Sequence, residues 1–201
     1  MNKIILIGAG GHCKSCIDVI EDSGKYKIVG LVDNKKIKDD VFNYPILGND
    51  KKLKDIRKIY ANAIVTVGQI KTPVIRKKIF FELLKYQYKL PIIKSKRSYI
   101  SKKTKIDIGT IVMHNSIINA NSKIGKNCIL NNSSLIEHDT EISDHCHIST
   151  GAIINGNVYI GEGSFVGSGA IIKEGIKIGK GCIVGAGKIL KKNLKDNEII
   201  K

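Results

Sequence analysis

From Ile100 to Leu190 every sixth residue is Ile, Leu or Val, without exception. A second register runs two residues ahead of it. It passes from Ser98, Thr104 and Thr110 through Cys128, Cys146 and Ala152 to Cys182 and Lys188, and is mostly small. Gly or Asn often follows the aliphatic residue, as at Asn119, Gly125, Asn131, Gly161, Gly167, Gly179 and Gly185. A six-residue step fits neither a helical period nor an ordinary amphipathic strand; it is the signature of a hexapeptide β-helix. Each hexad is then one short strand and one corner. Strand positions two apart share a face, so the small and the aliphatic residues both point inward. The Gly or Asn behind them is expected to take the corner, where positive φ is cheap for those residues. One coil cannot bury its own aliphatics, so coils stack into a prism. A β-sandwich does not fit, because its strands keep no fixed six-residue step over so long a stretch.

Ahead of the repeat the pattern changes. Lys3-Ile4-Ile5-Leu6-Ile7 reads as a short buried strand running into Gly8-Ala9-Gly10-Gly11-His12. A helical pattern follows, with Cys16, Ile17, Val19 and Ile20 on its apolar side and Gly24 near its end. A strand from Tyr26 to Val32 then closes on Asp33-Asn34. Strand, glycine turn, helix, strand, acid is a Rossmann-like βαβ unit. Its glycines let backbone N–H groups approach a phosphate at the helix N-terminus, and Asp33 stands where a ribose hydroxyl would be read. The third glycine of the dinucleotide fingerprint is replaced by Cys13, and His12 is unusual for a dehydrogenase. Further on, the sequence predicts a strand or loop at Tyr44–Gly48, a helix at Asp50–Ile59 and a strand at Ala63–Val67 with Gly68 at its carboxyl end. A basic amphipathic helix at Thr72–Leu84 and a last strand at Leu90–Ile93 follow. The expected architecture is a Rossmann-like α/β domain over residues 1–95 and a β-helix over residues 96–201.

Charge and cysteines narrow the function. The formal net charge is +16, but the cations are almost all Lys, with Arg only at Arg57, Arg76 and Arg97. Neither Arg enrichment nor aromatic interleaving marks a nucleic-acid reader, so small anionic ligands are the expected partners. Nothing resembles a signal peptide or a transmembrane segment, and a cytoplasmic protein without membrane insertion is expected. Cys128, Cys146 and Cys182 fall on the inward small position, where Cys acts as a small hydrophobe. Cys13 and Cys16 form C-x-x-C without the second pair of a zinc site, so they are read as helix packing, and no metal is expected. His138 falls at a corner two residues past inward Ile136. His147, between inward Cys146 and Ile148, should point out of its strand. His114 and His145 are read as solvated surface.

The G-A-G-G-H turn, the hexads and the segment Ser133-Ser134-Leu135-Ile136-Glu137-His138-Asp139 together resemble the bacterial sialic acid O-acetyltransferase (NeuD) family. That family includes the UDP-4-amino-sugar N-acetyltransferases of PglD type. The resemblance covers nearly the whole chain. It implies a left-handed β-helix, a homotrimer, and acetyl-CoA in the groove between neighbouring β-helices. It implies His138 as general base, with Glu137 and Asp139 as alternative orienters, since Asp139 is one methylene shorter than the Glu that follows the base in PglD-type proteins. Residue by residue it carries acetyl-CoA contacts to His147, Ser168 and Ala186. Nucleotide-sugar contacts fall on Gly10, Gly11, His12, Asp33, Asn34 and Gly68, with His12 beside the diphosphate. Glu198-Ile199-Ile200-Lys201 stands where such proteins carry a G-x-P-A-K-like tail near CoA, so an altered CoA affinity is expected. The leading expectation is acetyl transfer from acetyl-CoA to the amine of a UDP-linked 4-amino-deoxy sugar. O-acetylation of a sialic acid is the close alternative. An NAD-dependent oxidoreductase and a non-catalytic nucleotide-sugar-binding trimer are remote ones.

Overall fold

The computed structural model describes residues 1–34 and 40–201. The α/β unit is a sheet ordered β3-β4-β2-β1-β5. Its strands are β1 (Asn2–Ile7), β2 (Tyr26–Val32), β3 (Asp40–Val41), β4 (Tyr44–Gly48) and β5 (Asn62–Val65). All pair in parallel except β3, an antiparallel edge on β4. The central run Ile4-Ile5-Leu6-Ile7 is buried throughout, as a parallel strand with helices on both faces must be. α1 (Gly11–Ser23) covers one face through Cys13, Cys16, Ile17 and Ile20. Both cysteines therefore pack in the core, and burial pushes the Cys13 thiol up to about 11 and the Cys16 thiol higher still. α2 (Leu53–Ile59), entered through a 3-10 turn at Asp50–Lys52, and α3 (Val74–Lys85) cover the other face with Leu53, Ile56, Ile79, Phe80 and Leu83.

The second half is a left-handed parallel β-helix. Ile118 pairs with Ile136, Ile136 with Ile154 and Ile154 with Ile172, so a coil is eighteen residues, or three hexads. The aliphatic register from Val112 to Leu190 forms one buried core with Cys128, Cys146, Ala152 and Cys182. Small inward hydroxyls close the coil from inside. Thr110, Ser122, Thr140 and Ser164 donate to the carbonyls of Gly125, Glu137, Asn155 and Gly179, so no buried oxygen among these four is orphaned.

Two details of the coil differ from expectation. Positive φ does not follow the aliphatic residue directly. It comes three residues after it, at Asn115, Asn121, Asn127, Asp139, His145 and Gly151. The glycines immediately after the aliphatic residue answer a different demand. A Cβ on Gly125, Gly161, Gly167 or Gly179 would come within 2.6 Å of backbone in the next coil, so stacking excludes a side chain there. The expected strand Leu90–Ile93 is also redistributed. Lys89 makes only an isolated bridge to Asn62, whereas Ile93–Lys94 pairs with Ile111–Val112 and opens the β-helix. Lys94 breaks the aliphatic register, which hid that first strand.

The three faces of the prism are unlike. The seven-stranded face containing Ile111–Val112, Ile129–Leu130 and His147–Ile148 lies under the α/β unit; outward Ile111 and Ile129 are fully buried. The six-stranded face carries outward Tyr99, Ile117, Leu135, Ile153, Ile171 and Ile189 in register. The five-stranded face carries outward Lys105, Lys123, Glu141, Tyr159 and Lys177. The two halves are joined by more than the chain. Arg76, which sequence placed on a basic amphipathic helix, is 1% exposed. Its guanidinium donates to the carbonyls of Val65, Val67 and Asn127, which bridges β5 and a β-helix corner. Gln69 does the same through the carbonyls of His145 and Gly163. His114 and His145 belong to this seam, not to solvent. His114 connects Ser95 and Asp18 (2.7 and 2.8 Å), and His145 packs against Phe80 and Phe81.

Candidate active site

Between the carboxyl ends of β1, β2 and β5 and the β-helix lies a crevice of about 1050 Å³. The α/β wall supplies Gly10, Gly11, His12, Asp33, Asn34 and Gly68; the β-helix wall supplies Asn131, His147, Thr150, Phe165 and Ser168. The glycine turn is shaped for it. Gly8 is required by packing, since φ is 105° and a Cβ would lie 2.5 Å from Val67. Gly10 and Gly11 are not: a Cβ on either would meet nothing within 4 Å. Their lack of side chains keeps the start of α1 open. That helix has Gly10 as N-cap, no side-chain cap and no acid in its first turn. Its first N–H groups and dipole therefore favour an anion in the crevice.

The other residues of this wall are held firmly. Asp33 Oδ2 accepts from the Ala9 N–H at 2.7 Å, so the carboxylate braces the glycine turn. Asn34 and Asp50 are doubly linked, at 2.6 and 3.1 Å. Gly68 lies over His12, where a Cβ would sit 3.5 Å from the His12 Cβ. The His12 ring nitrogen Nε2 contacts Cys16 Sγ at 3.4 Å. Burial, reinforced by Arg76 and His147, pushes the His12 pKa down to about 3. His12 therefore enters the crevice as a neutral imidazole, not as the cation a diphosphate would otherwise draw. His147 does point out of its strand, but the α/β unit covers it and leaves 6% exposed. Its Nδ1–H donates to the Gln69 carbonyl (2.5 Å), and Nε2 receives Asn131 Nδ2 (3.3 Å). Burial, with Arg76 nearby, holds its pKa down at about 4, against the opposing Gln69 bond.

His138, Asp139 and Glu137 lie at a different corner, between the apolar and charged faces. His138 and Asp139 are well exposed, at 63% and 49% of their side chains. His138 Nδ1–H donates to Asp139 Oδ2 at 2.7 Å, which leaves Nε2 as the basic nitrogen. Of the two neighbouring carboxylates, Asp139 is the one bonded to His138; Glu137 instead accepts from Asn119 (2.8 Å). Asn121 holds the second Asp139 oxygen at 2.6 Å, and this bond, followed by His138, lowers the Asp139 pKa. Gly156, one coil on, leaves room for the imidazole, since a Cβ there would lie 2.9 Å from the His138 ring.

The structure thus gathers His147 and Ser168 with the six residues expected around a nucleotide sugar. It leaves the His138 group and Ala186 outside that crevice. Ala186 is exposed on the coil above Ser168, and the Gly187 N–H donates to the Ser168 carbonyl. Sequence reasoning missed Gln69, Asn131, Asn121 and Gly156. The last two were within reach, because each stands eighteen residues from the partner it serves and the coil length follows from three hexads.

The PglD N-terminal domain family model matches residues 3–83, and that of bacterial transferase hexapeptide (six repeats) matches residues 157–192. Comparison with curated proteins gives no match. Among solved structures, PerB from Caulobacter crescentus in complex with CoA and GDP-perosamine is 28% identical, with a TM-score of 0.93 over 99% of this chain and 93% of that one. The acetyltransferase domain of PglB from Neisseria gonorrhoeae in complex with acetyl coenzyme A is 28% identical, with a TM-score of 0.93 over 99% and 96%. WeeI from Acinetobacter baumannii is 25% identical, with a TM-score of 0.88 over 99% and 96%. The chain joins a PglD N-terminal domain to transferase hexapeptide repeats and resembles the NeuD/PglD-type sugar acetyltransferases from end to end.

Proposed function

We propose that this chain is an acetyl-CoA-dependent sugar N-acetyltransferase that acts on the 4-amino group of a nucleotide-linked deoxy sugar, with His138 as general base. The carrying observation is the exposed His138–Asp139 pair, whose geometry makes Nε2 a proton acceptor. The amine nitrogen attacks the thioester carbonyl. As the C–N bond forms, its proton passes to Nε2, and the Asp139 carboxylate stabilises the imidazolium. The tetrahedral intermediate then expels the CoA thiolate, which takes the proton back from the ring. No covalent enzyme intermediate is needed.

The open start of α1 and its glycines would hold the diphosphate, with Asp33 and Asn34 toward the nucleoside. UDP is the nucleotide expected from the resemblance, and GDP is the natural second arm, because the PerB complex holds GDP-perosamine. Ser168 and Ala186 occupy the same corner on successive coils, so a donor laid along the prism would touch both. Crevice and base sit on different corners of one chain, and the apolar face between those corners is uncovered. A homotrimer that covers Ile117, Ile153 and Ile189 and sets one subunit's crevice beside a neighbour's His138 meets both conditions.

The test is thiol release from acetyl-CoA with UDP- and GDP-linked 4-amino sugars and with free sialic acids. His138→Ala should lower kcat by roughly 10²–10⁴-fold, as loss of a positioned base does, with KM for acetyl-CoA nearly unchanged. A loss below about tenfold would mean that another group takes the proton. UDP or GDP should raise the unfolding temperature by mass action; protection by NAD alone would sink the nucleotide-sugar reading.

A further inference from the structure

We propose that Asn121 is a positioning residue for acetyl transfer, which fixes the Asp139 carboxylate so that the carboxylate in turn fixes the tautomer and aim of His138. The inference rests on the reading of His138 as the base and adds a third member to its machinery, one supplied by the preceding coil.

The geometry is a relay across two coils. Asn121 Nδ2 donates to Asp139 Oδ1 at 2.6 Å, and His138 Nδ1–H donates to Asp139 Oδ2 at 2.7 Å. The two carboxylate oxygens are thus divided between the two partners. Asp139 has little else to hold it. Its side chain is about half exposed, and a surface ion pair with a free rotamer contributes little orientation. The amide of Asn121 supplies the missing restraint without adding charge, so the carboxylate stays anionic, as the lowered Asp139 pKa also reflects.

Both residues are preorganised by the fold. Asn121 and Asp139 occupy the same corner position one coil apart, with φ of 61° and 59°, a conformation that Asn and Asp tolerate better than other side chains. Parallel stacking fixes the distance between such corners, as it does for Asn119 and Glu137 at 2.8 Å. That neighbouring rung occupies Glu137 and leaves Asp139 alone to serve the imidazole.

A bland account competes: Asn121 is Asn only because the corner needs positive φ, as at Asn115 and Asn157. Asn121→Gly separates the two, because glycine keeps the corner without strain. Asn121→Asp also keeps it but sets one carboxylate against another. If Asn121 only turns the chain, both variants should behave as wild type. If it positions the pair, Asn121→Gly should lower kcat by about five- to tenfold, part of what a positioned base contributes. KM for acetyl-CoA and the unfolding temperature should hold, and Asn121→Asp should lose at least as much.

Two further readouts follow, the first of them independent of turnover. In ¹⁵N-histidine spectra at alkaline pH, with the His138 signals identified by their loss in His138→Ala, Asn121→Gly should raise the Nε2–H tautomer at the expense of Nδ1–H. In a double-mutant cycle, Asn121→Gly should add nothing to Asp139→Asn, because both break one relay. Wild-type kcat in Asn121→Gly, an unchanged tautomer, or additive losses would overturn the proposal. Should His138→Ala itself stay active, the base assignment falls, and the tautomer readout still decides whether Asn121 governs the pair.

Discussion

Burial decides the charge of the crevice histidines, and this has a consequence in acid. An unfolded histidine titrates near 6.5, whereas His147 in the fold accepts a proton only near 4, because burial and the Arg76 guanidinium oppose a second cation. Between these values the unfolded state binds more protons than the folded one, so stability falls as pH drops through that window and is complete above it. For His147 alone the loss by pH 4 is roughly 3 kcal/mol, and His12, held down to about 3, adds to it. The unfolding temperature of the ligand-free protein should therefore fall steadily from about pH 6.5 to pH 4, and His147→Gln should flatten part of that slope. An equal slope in wild type and variant would assign the acid sensitivity elsewhere. At this scale the sequence was half legible. Strand periodicity showed that His147 leaves its strand and that His138 stands at a corner. It could not show that the α/β unit closes over His147 or buries Arg76, because those contacts join residues far apart in the chain.

The elements were readable wherever a period repeats, and misread where one residue type answers two demands. Every inward aliphatic from Val112 to Leu190 lands in the core. The glycines proved ambiguous, since one set supplies positive φ and another clears a path for the next coil. Gly151 and Gly167 separate these demands. Gly151 has φ 65° and open space around its missing Cβ, whereas a Cβ on Gly167 would lie 2.5 Å from the Ala186 nitrogen. Gly151→Ala should cost about 1 kcal/mol, the usual penalty for a left-handed non-glycine residue. Gly167→Ala must push two coils apart and should cost several times more, with poor soluble expression as the extreme. Chemical denaturation of both variants checks the ranking, and the reverse order would return the glycines to a purely conformational role. The same ambiguity hid Asn121, whose corner geometry and amide bond are separate properties of one side chain.

At the scale of the whole molecule the three faces of the prism differ in what they leave uncovered. One lies beneath the chain's own α/β unit, and one carries lysines and Glu141. The third presents an in-register ladder in which Ile117 is 40% and Ile189 61% exposed. An apolar stripe this continuous is the surface that the proposed homotrimer would cover, since cyclic closure of a single repeated contact is the simplest way to bury it. Ile117→Asp combined with Ile189→Asp should convert the proposed trimer to monomers in sedimentation. The sharper prediction concerns who shares a site with whom. Gly11→Glu should block the crevice, since it projects a charged side chain into space that is now open, and His138→Ala removes the proposed base; each variant alone should retain little activity. If every site joins the crevice of one subunit to His138 of its neighbour, unfolding and refolding the two together should regenerate sites. In a random one-to-one mixture a site works when its crevice comes from the His138→Ala chain and its base from the Gly11→Glu chain, so about a quarter of full activity should return. If crevice and base of the same chain worked together, every chain would carry one lesion and no mixture could recover. Sites drawn from two chains give activity after refolding and none after mixing the folded proteins, because only refolding exchanges subunits between stable assemblies.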